Sequence, residues 1–328
     1  MGKISNDGSK RLQWDFNRLV SIGILAVLMV MAASSNRAFL SSGNLLGILE
    51  QNAAKGVMAL GATFVLITGG IDLSMGNGLT MIAAVATVIH FKTGENALTL
   101  MVMCVVVGGL LGAVNGLLIT KLKLLPFVAT LGMMSVCRGI TLWVAEGKIM
   151  FLNNPIALNI GNGKIFGFFP IQTIIFLAMA AIAAVVLYRT RLGTAVYAMG
   201  GNEDATSYCG IDTSAQKLKV YILNGMFIGV AAMLTVCRVG EITPNLGEGS
   251  MMDAIAAAVI GGTSTMGGRG TILGTVIGVC IIGVLINALT FMSVPVNAQA
   301  VIKGLVILFA IVTDALFSRL KDKQLGIK

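Results

Sequence analysis

The sequence predicts an all-α integral membrane protein with about ten transmembrane helices, one of them short or broken, in a single domain covering residues 1–328. Three observations predict it. Apolar residues make up 56% of the chain, charged residues only 11%, and the mean hydropathy is +0.90. An ordinary globular domain carries about 25% charged residues, so this composition cannot build a surface that faces water all round. Apolar runs of at least about 17 residues, enough to span a bilayer as helices, recur along the whole chain. The basic residues, finally, fall mostly on one side of those runs.

Taken in order, the spans are 19–35, 45–68, 73–91, 98–120, 124–145, 168–188, 218–238, 254–267, 271–292 and 297–317. The second ends at the pair Gly69-Gly70, and the third starts after Asp72 and Ser74, either of which can cap it. Gly108, Gly112 and Gly116 give the fourth a repeated GxxxG, as Gly270, Gly274 and Gly278 do for the ninth, while the seventh has Gly225 and Gly229. Such grooves receive neighbouring helices, within the chain or from a partner. Pro126 and Pro170 open the fifth and sixth spans, where a missing N–H costs least. Pro295 marks the turn between the last two. The eighth is too short for a clean span.

With both termini inside, fifteen Lys and Arg fall in inner stretches and four in outer ones. That is a positive-inside pattern. It places the N-terminal segment 1–18, the loop 189–217 and the tail 318–328 in the cytoplasm, and it accounts for the net charge of +9 without nucleic acid. No secretory signal is expected, since the first apolar run starts 18 residues in.

The inventory removes other classes. One histidine, His90, leaves no HExxH zinc site and no spare base for a Ser-His-Asp triad. The five cysteines are scattered, without a CxxC, and read as small core residues rather than metal ligands or disulfides. No GxxxxGK[ST] occurs, so no cofactor or nucleotide is expected on this chain, and it is not expected to be an enzyme.

Three stretches stand out. Ile67–Gly76 (ITGGIDLSMG) breaks between two helices, and Asp72 there serves as a cap or as a substrate contact. In the basic-flanked loop 189–217, Asn202 caps a short helix lying between Gly201 and Gly210. All four tyrosines, Tyr188, Tyr197, Tyr208 and Tyr221, fall in or beside that loop, for a protein contact or for packing on its own helices. In the third stretch, 253–278, the run from Gly261 and Gly262 to Gly267 and Gly268 is non-helical backbone held inside the protein. The spacing Gly69-Gly70-x5-Gly76-x-Gly78 recurs there from Gly261 to Gly270.

These three stretches resemble the permease of bacterial ribose-type ABC sugar importers, with the resemblance extending from about Leu45 to Asp314. It implies a permease paired with a second identical copy in the bacterial cell membrane. It also implies a tandem ABC ATPase on the cytoplasmic face, where ATP is bound, and a sugar-binding protein outside. The coupling loop then corresponds to Gly200, Gly201, Asn202, Glu203, Ala205 and Gly210, and the hinge to Gly261, Gly262, Gly267 and Gly268. The chain departs from common members at Asp204, Ser207, Tyr208 and Cys209.

Polar groups inside spans are costly and face the interior. Asn52, Thr68, Asp72, Asn115, Asn224 and Asn287 are therefore the pathway candidates, each bonding either a sugar hydroxyl or a neighbouring helix. Arg138 needs a carboxylate or carbonyl partner, with Glu50 or Asp72 in view; His90 reads as interfacial, and Lys303 as snorkelling outward. The reading is monosaccharide import, of a pentose or hexose. The alternatives are an ABC permease for branched-chain amino acids or nucleosides, a secondary transporter lacking the acidic relays it needs, and a membrane enzyme lacking a catalytic constellation.

Overall fold

The computed structural model describes residues 37–324 and a few positions between 23 and 34. The segment 1–18, most of the span expected at 19–35 and the last four residues of the tail lie outside the described residues.

After a 3-10 turn at Arg37–Leu40, helix α1 (Ser42–Ile67) starts at Ser41, whose side chain accepts the Asn44 N–H. Helix α2 (Met75–Lys92) and helix α3 (Ala97–Thr120) follow, the latter capped by Asn96. Helix α4 (Pro126–Val144) has its proline in the first turn, as expected. Strand β1 (Met150–Phe151) and the short helix α5 (Pro155–Asn162) lead to β2 (Lys164–Ile165) and β3 (Phe169–Pro170), then to α6 (Ile171–Arg189). Helices α7 (Arg191–Gly201) and α8 (Glu203–Tyr208) form a bent arm before α9 (Thr213–Val239). Strand β4 (Glu241–Ile242) precedes α10 (Ser250–Ile260), α11 (Ile272–Phe291) and α12 (Val296–Gln324). The strands pair antiparallel, β1 with β4 and β2 with β3, at the end of the bundle away from the α7–α8 arm.

Among the described residues, α3, α4, α6, α9 and α11 are long and apolar enough to cross a membrane. Helix α1 is the axis of the bundle: from Gly56 to Ile67 every residue is buried, so it is surrounded by protein rather than lipid. It packs on α6, α9, α10 and α11, with Phe176 over Gly56 and the Phe64 and Phe227 rings 6.3 Å apart. The glycine grooves are used within the chain. A β-carbon on Gly108 would strike Gly225 O, and one on Gly278 would strike Ala257 O, so α3 meets α9 and α11 meets α10 backbone to backbone.

The eighth segment is short, as expected. Helix α10 ends at Ile260, and residues 261–271 return as irregular backbone with Thr263 and Ser264 buried. Three expectations are corrected. His90 is not interfacial but fully buried, because the α2–α3 turn folds over it and brings Nδ1 to 3.0 Å from Asn96 O. Lys303 does not snorkel outward: its Nζ lies 2.7 Å from Asp253 Oδ1. Arg138 pairs with neither Glu50 nor Asp72; its guanidinium reaches the side-chain carbonyl of Asn245, at 3.5 Å.

Candidate functional site

The three stretches singled out in the sequence meet at one end of the bundle. The last turn of α1 supplies Ile67 O, which accepts the Gly268 N–H at 2.8 Å. Gly200, near the end of α7, lies against the same two residues so closely that a β-carbon there would collide with Ile67 O and come within 3.0 Å of Gly268 Cα. Gly268 itself has φ +72°, a conformation that a residue with a β-carbon rarely adopts. Two tyrosines tie the arm further. Tyr197 donates to Gly270 O at 2.7 Å, and Tyr188 Oη accepts the Ile272 N–H at 3.1 Å. Burial, with the Tyr188 hydroxyl nearby, pushes the Tyr197 hydroxyl well above its ordinary value. These two, with the buried Tyr221, fit the packing reading of the tyrosines; Tyr208, 92% exposed, fits the contact reading.

Beyond this joint the arm is open. Asn202 caps α8 by accepting the Ala205 N–H at 2.8 Å, and Thr206 is the only buried residue from Gly201 to Gly210. Glu203 carries an ion pair with Lys217 of α9, which braces the arm against that helix. Gly201, Asn202, Glu203, Ala205 and Gly210 are thus exposed, while Gly200 sits in the joint. Gly262, Gly267 and Gly268 all take positive φ, and Gly261 lies against the main chain of Gly274.

A second cluster lies deeper. Asp72 is 3% exposed. Its Oδ1 accepts the Ser74 N–H at 2.9 Å and the Ser74 hydroxyl at 2.6 Å, and its Oδ2 accepts from Asn224 Nδ2 at 2.8 Å. Asn115 Nδ2 donates to Ser74 Oγ at 2.9 Å. Of the six pathway candidates, the structure thus brings together Asp72, Asn115 and Asn224, on the α1–α2 connection, α3 and α9. The other three lie apart. Thr68 bonds Val65 O, Asn52 bonds Ile48 O, and Asn287 exchanges amide hydrogen bonds with Asn44 at 3.0 and 3.1 Å.

A third cluster was missed. Asp253, in the first turn of α10, holds Lys55 of α1 and Lys303 of α12, each at 2.7 Å. The signal was available: all three charges stand in or at the edge of apolar spans, where ionisable groups pair with one another.

The model of the family described as "Branched-chain amino acid transport system / permease component" matches residues 44–311. The chain belongs to this permease family. It is 38% identical over 309 residues to the ribose import permease protein of Escherichia coli strain K12, covering 90% of this chain and 92% of the relative. The ribose import permease protein of Bacillus subtilis strain 168 is 40% identical over 300 residues, 88% of this chain and 90% of its own length. The D-allose transport system permease protein of E. coli K12 is 33% identical over 322 residues, 97% and 98% of the two chains. No solved structure matches the chain. The protein is a multi-pass membrane permease, and the arm, the joint and the buried clusters are parts of that machine.

Proposed function

We propose that this chain is the membrane-spanning subunit of an ATP-driven importer that passes a monosaccharide from an extracytoplasmic binding protein into the cytoplasm. It works as two identical copies of about ten spans each in the bacterial cell membrane, with both termini cytoplasmic. A separate tandem ATPase binds the nucleotide and docks on the α7–α8 arm.

One observation carries this reading. The arm is exposed along Gly201–Gly210, yet at Gly200 it is locked to the main chain of α1 and of the glycine loop. A surface element that grips outward and is fixed inward suits the transfer of motion from a partner. The chain's similarity to permeases of ribose and allose importers supports a sugar as cargo. The family description favours a branched-chain amino acid as the second reading.

Reconstitution with its ATPase and binding protein tests both. Proteoliposomes should accumulate labelled D-ribose, D-allose or D-galactose only with ATP and with the ATPase present. Sugar accumulation by the permease alone would refute ATP-driven import, and uptake of leucine in place of all three sugars would favour the second reading.

A further inference from the structure

Asp72, Asn115 and Asn224 are linked through Ser74 in the protein interior: Asn224 donates to Asp72, and Asn115 to the Ser74 hydroxyl that itself bonds Asp72. A separate, exposed polar surface lies on the connection 243–249 between β4 and α10. Its Gly247 N–H donates to Thr80 Oγ1 of α2 at 2.9 Å, and a β-carbon on Gly76 would lie 2.9 Å from Gly247 O. That part of α2 stands beside the middle of α4, because Asn77 Nδ2 donates to Met134 O at 3.0 Å, close to the midpoint of a 19-residue membrane-crossing helix. The connection therefore runs as irregular backbone at mid-depth, and α10 starts there. Backbone of this kind persists in a membrane only when buried in protein or lining water. Gly247 is buried, but Asn245, Glu248 and Gly249 are exposed.

Arg138 faces them. It sits one turn from Met134 along α4, about 6 Å at 1.5 Å per residue, is exposed, and touches Asn245 Oδ1 at 3.5 Å. Gly132, Ser135 and Gly139 share its open face of α4, and a β-carbon on either glycine would meet nothing within 4 Å. A guanidinium at this depth is costly against hydrocarbon and belongs in a water-filled space.

We propose that Arg138, Asn245 and Glu248 line the water-filled passage for the sugar, across the small-residue floor of α4, with the second copy closing the other side. This rests on the importer reading above. The chemistry fits a neutral polyhydroxylated ligand. A guanidinium only donates, a carboxylate only accepts and an amide does both, which matches hydroxyls that donate and accept. The opposite charges of Arg138 and Glu248 require none on the cargo.

The test uses the complete importer in intact cells, with Cys209→Ser removing the exposed native thiol. Asn245→Cys, and separately Ser135→Cys, is treated with a membrane-impermeant thiosulfonate, and native buried Cys237 is the comparator. Both introduced thiols should react at least tenfold faster than Cys237, and D-ribose during turnover should slow them at least threefold. Reaction no faster than at Cys237, or no protection in an importer that does take up ribose, overturns the passage. An importer that moves none of D-ribose, D-allose and D-galactose overturns the importer reading and the passage with it.

Discussion

Replacing Asp253 by asparagine should destabilise the protein more than any single change to its lysine partners. The carboxylate is 4% exposed, and an ammonium lies 2.7 Å from each of its oxygens. Removing one partner of a buried ion pair costs about 3–5 kcal/mol. Lys55 and Lys303 keep 33% and 23% of their side-chain exposure, so water relieves part of that loss and the lower figure, about 3 kcal/mol, is expected. Lys303→Met leaves Asp253 still paired with Lys55 and should cost less, about 1.5 kcal/mol, the low end for a hydrogen bond to a charged group. The triple variant Asp253→Asn, Lys55→Met, Lys303→Met removes every charge and should recover most of the loss, since neutral replacements of buried ionic groups are often tolerated. Unfolding midpoints of the four proteins in one detergent measure this. A triple variant no more stable than Asp253→Asn alone would refute the reasoning, because the penalty would then not come from stranded ammonium groups.

Four further outcomes are expected. A tryptophan at Gly201, where a β-carbon meets nothing within 4 Å, should leave folding intact and lower ATPase co-purification at least tenfold. Gly268→Val should abolish uptake at normal membrane levels, since valine is strained at φ +72° within the joint. Gly261→Val should also reduce those levels, because its side chain meets the main chain of Gly274. In a cysteine-free background, an impermeant reagent outside intact cells should reach a cysteine at the exposed position Asn162 and miss one at the equally exposed Thr194; labelling of the latter would reverse the orientation.

What the sequence made legible follows from how each feature is encoded. Helix starts at Pro126 and Asn202 are local, set by a ring that fixes φ or a side chain that reaches three residues on, and they stand where the pattern put them. The glycine runs were also visible, because close main-chain contact and positive φ both call for residues without a β-carbon. Partners distant in sequence were not. Nothing near Lys303 names Asp253, and nothing near Arg138 names Asn245. The stretch 243–249 carries no sequence signal of its depth, and its descent beside Gly76 appears only when α2 and α10 are packed. The amides divided for a similar reason: Asn115 and Asn224 reach the Asp72–Ser74 turn across helices, whereas Asn52 turns back on its own.

The joint at Ile67, Gly200 and Gly268 is made largely of main-chain atoms, and the arm beyond it is made of exposed side chains. In the proposed importer, transmission and recognition would therefore be written in separate parts of the chain. With the ATPase docked on the arm as proposed above, Asp204, Ser207, Tyr208 and Cys209 could be exchanged to suit a different partner surface without touching the joint at Gly200. Where Gly200 meets Ile67 O and Gly268, the contact has no side chain to absorb a displacement, so a stroke delivered to the arm would be passed directly to the end of α1.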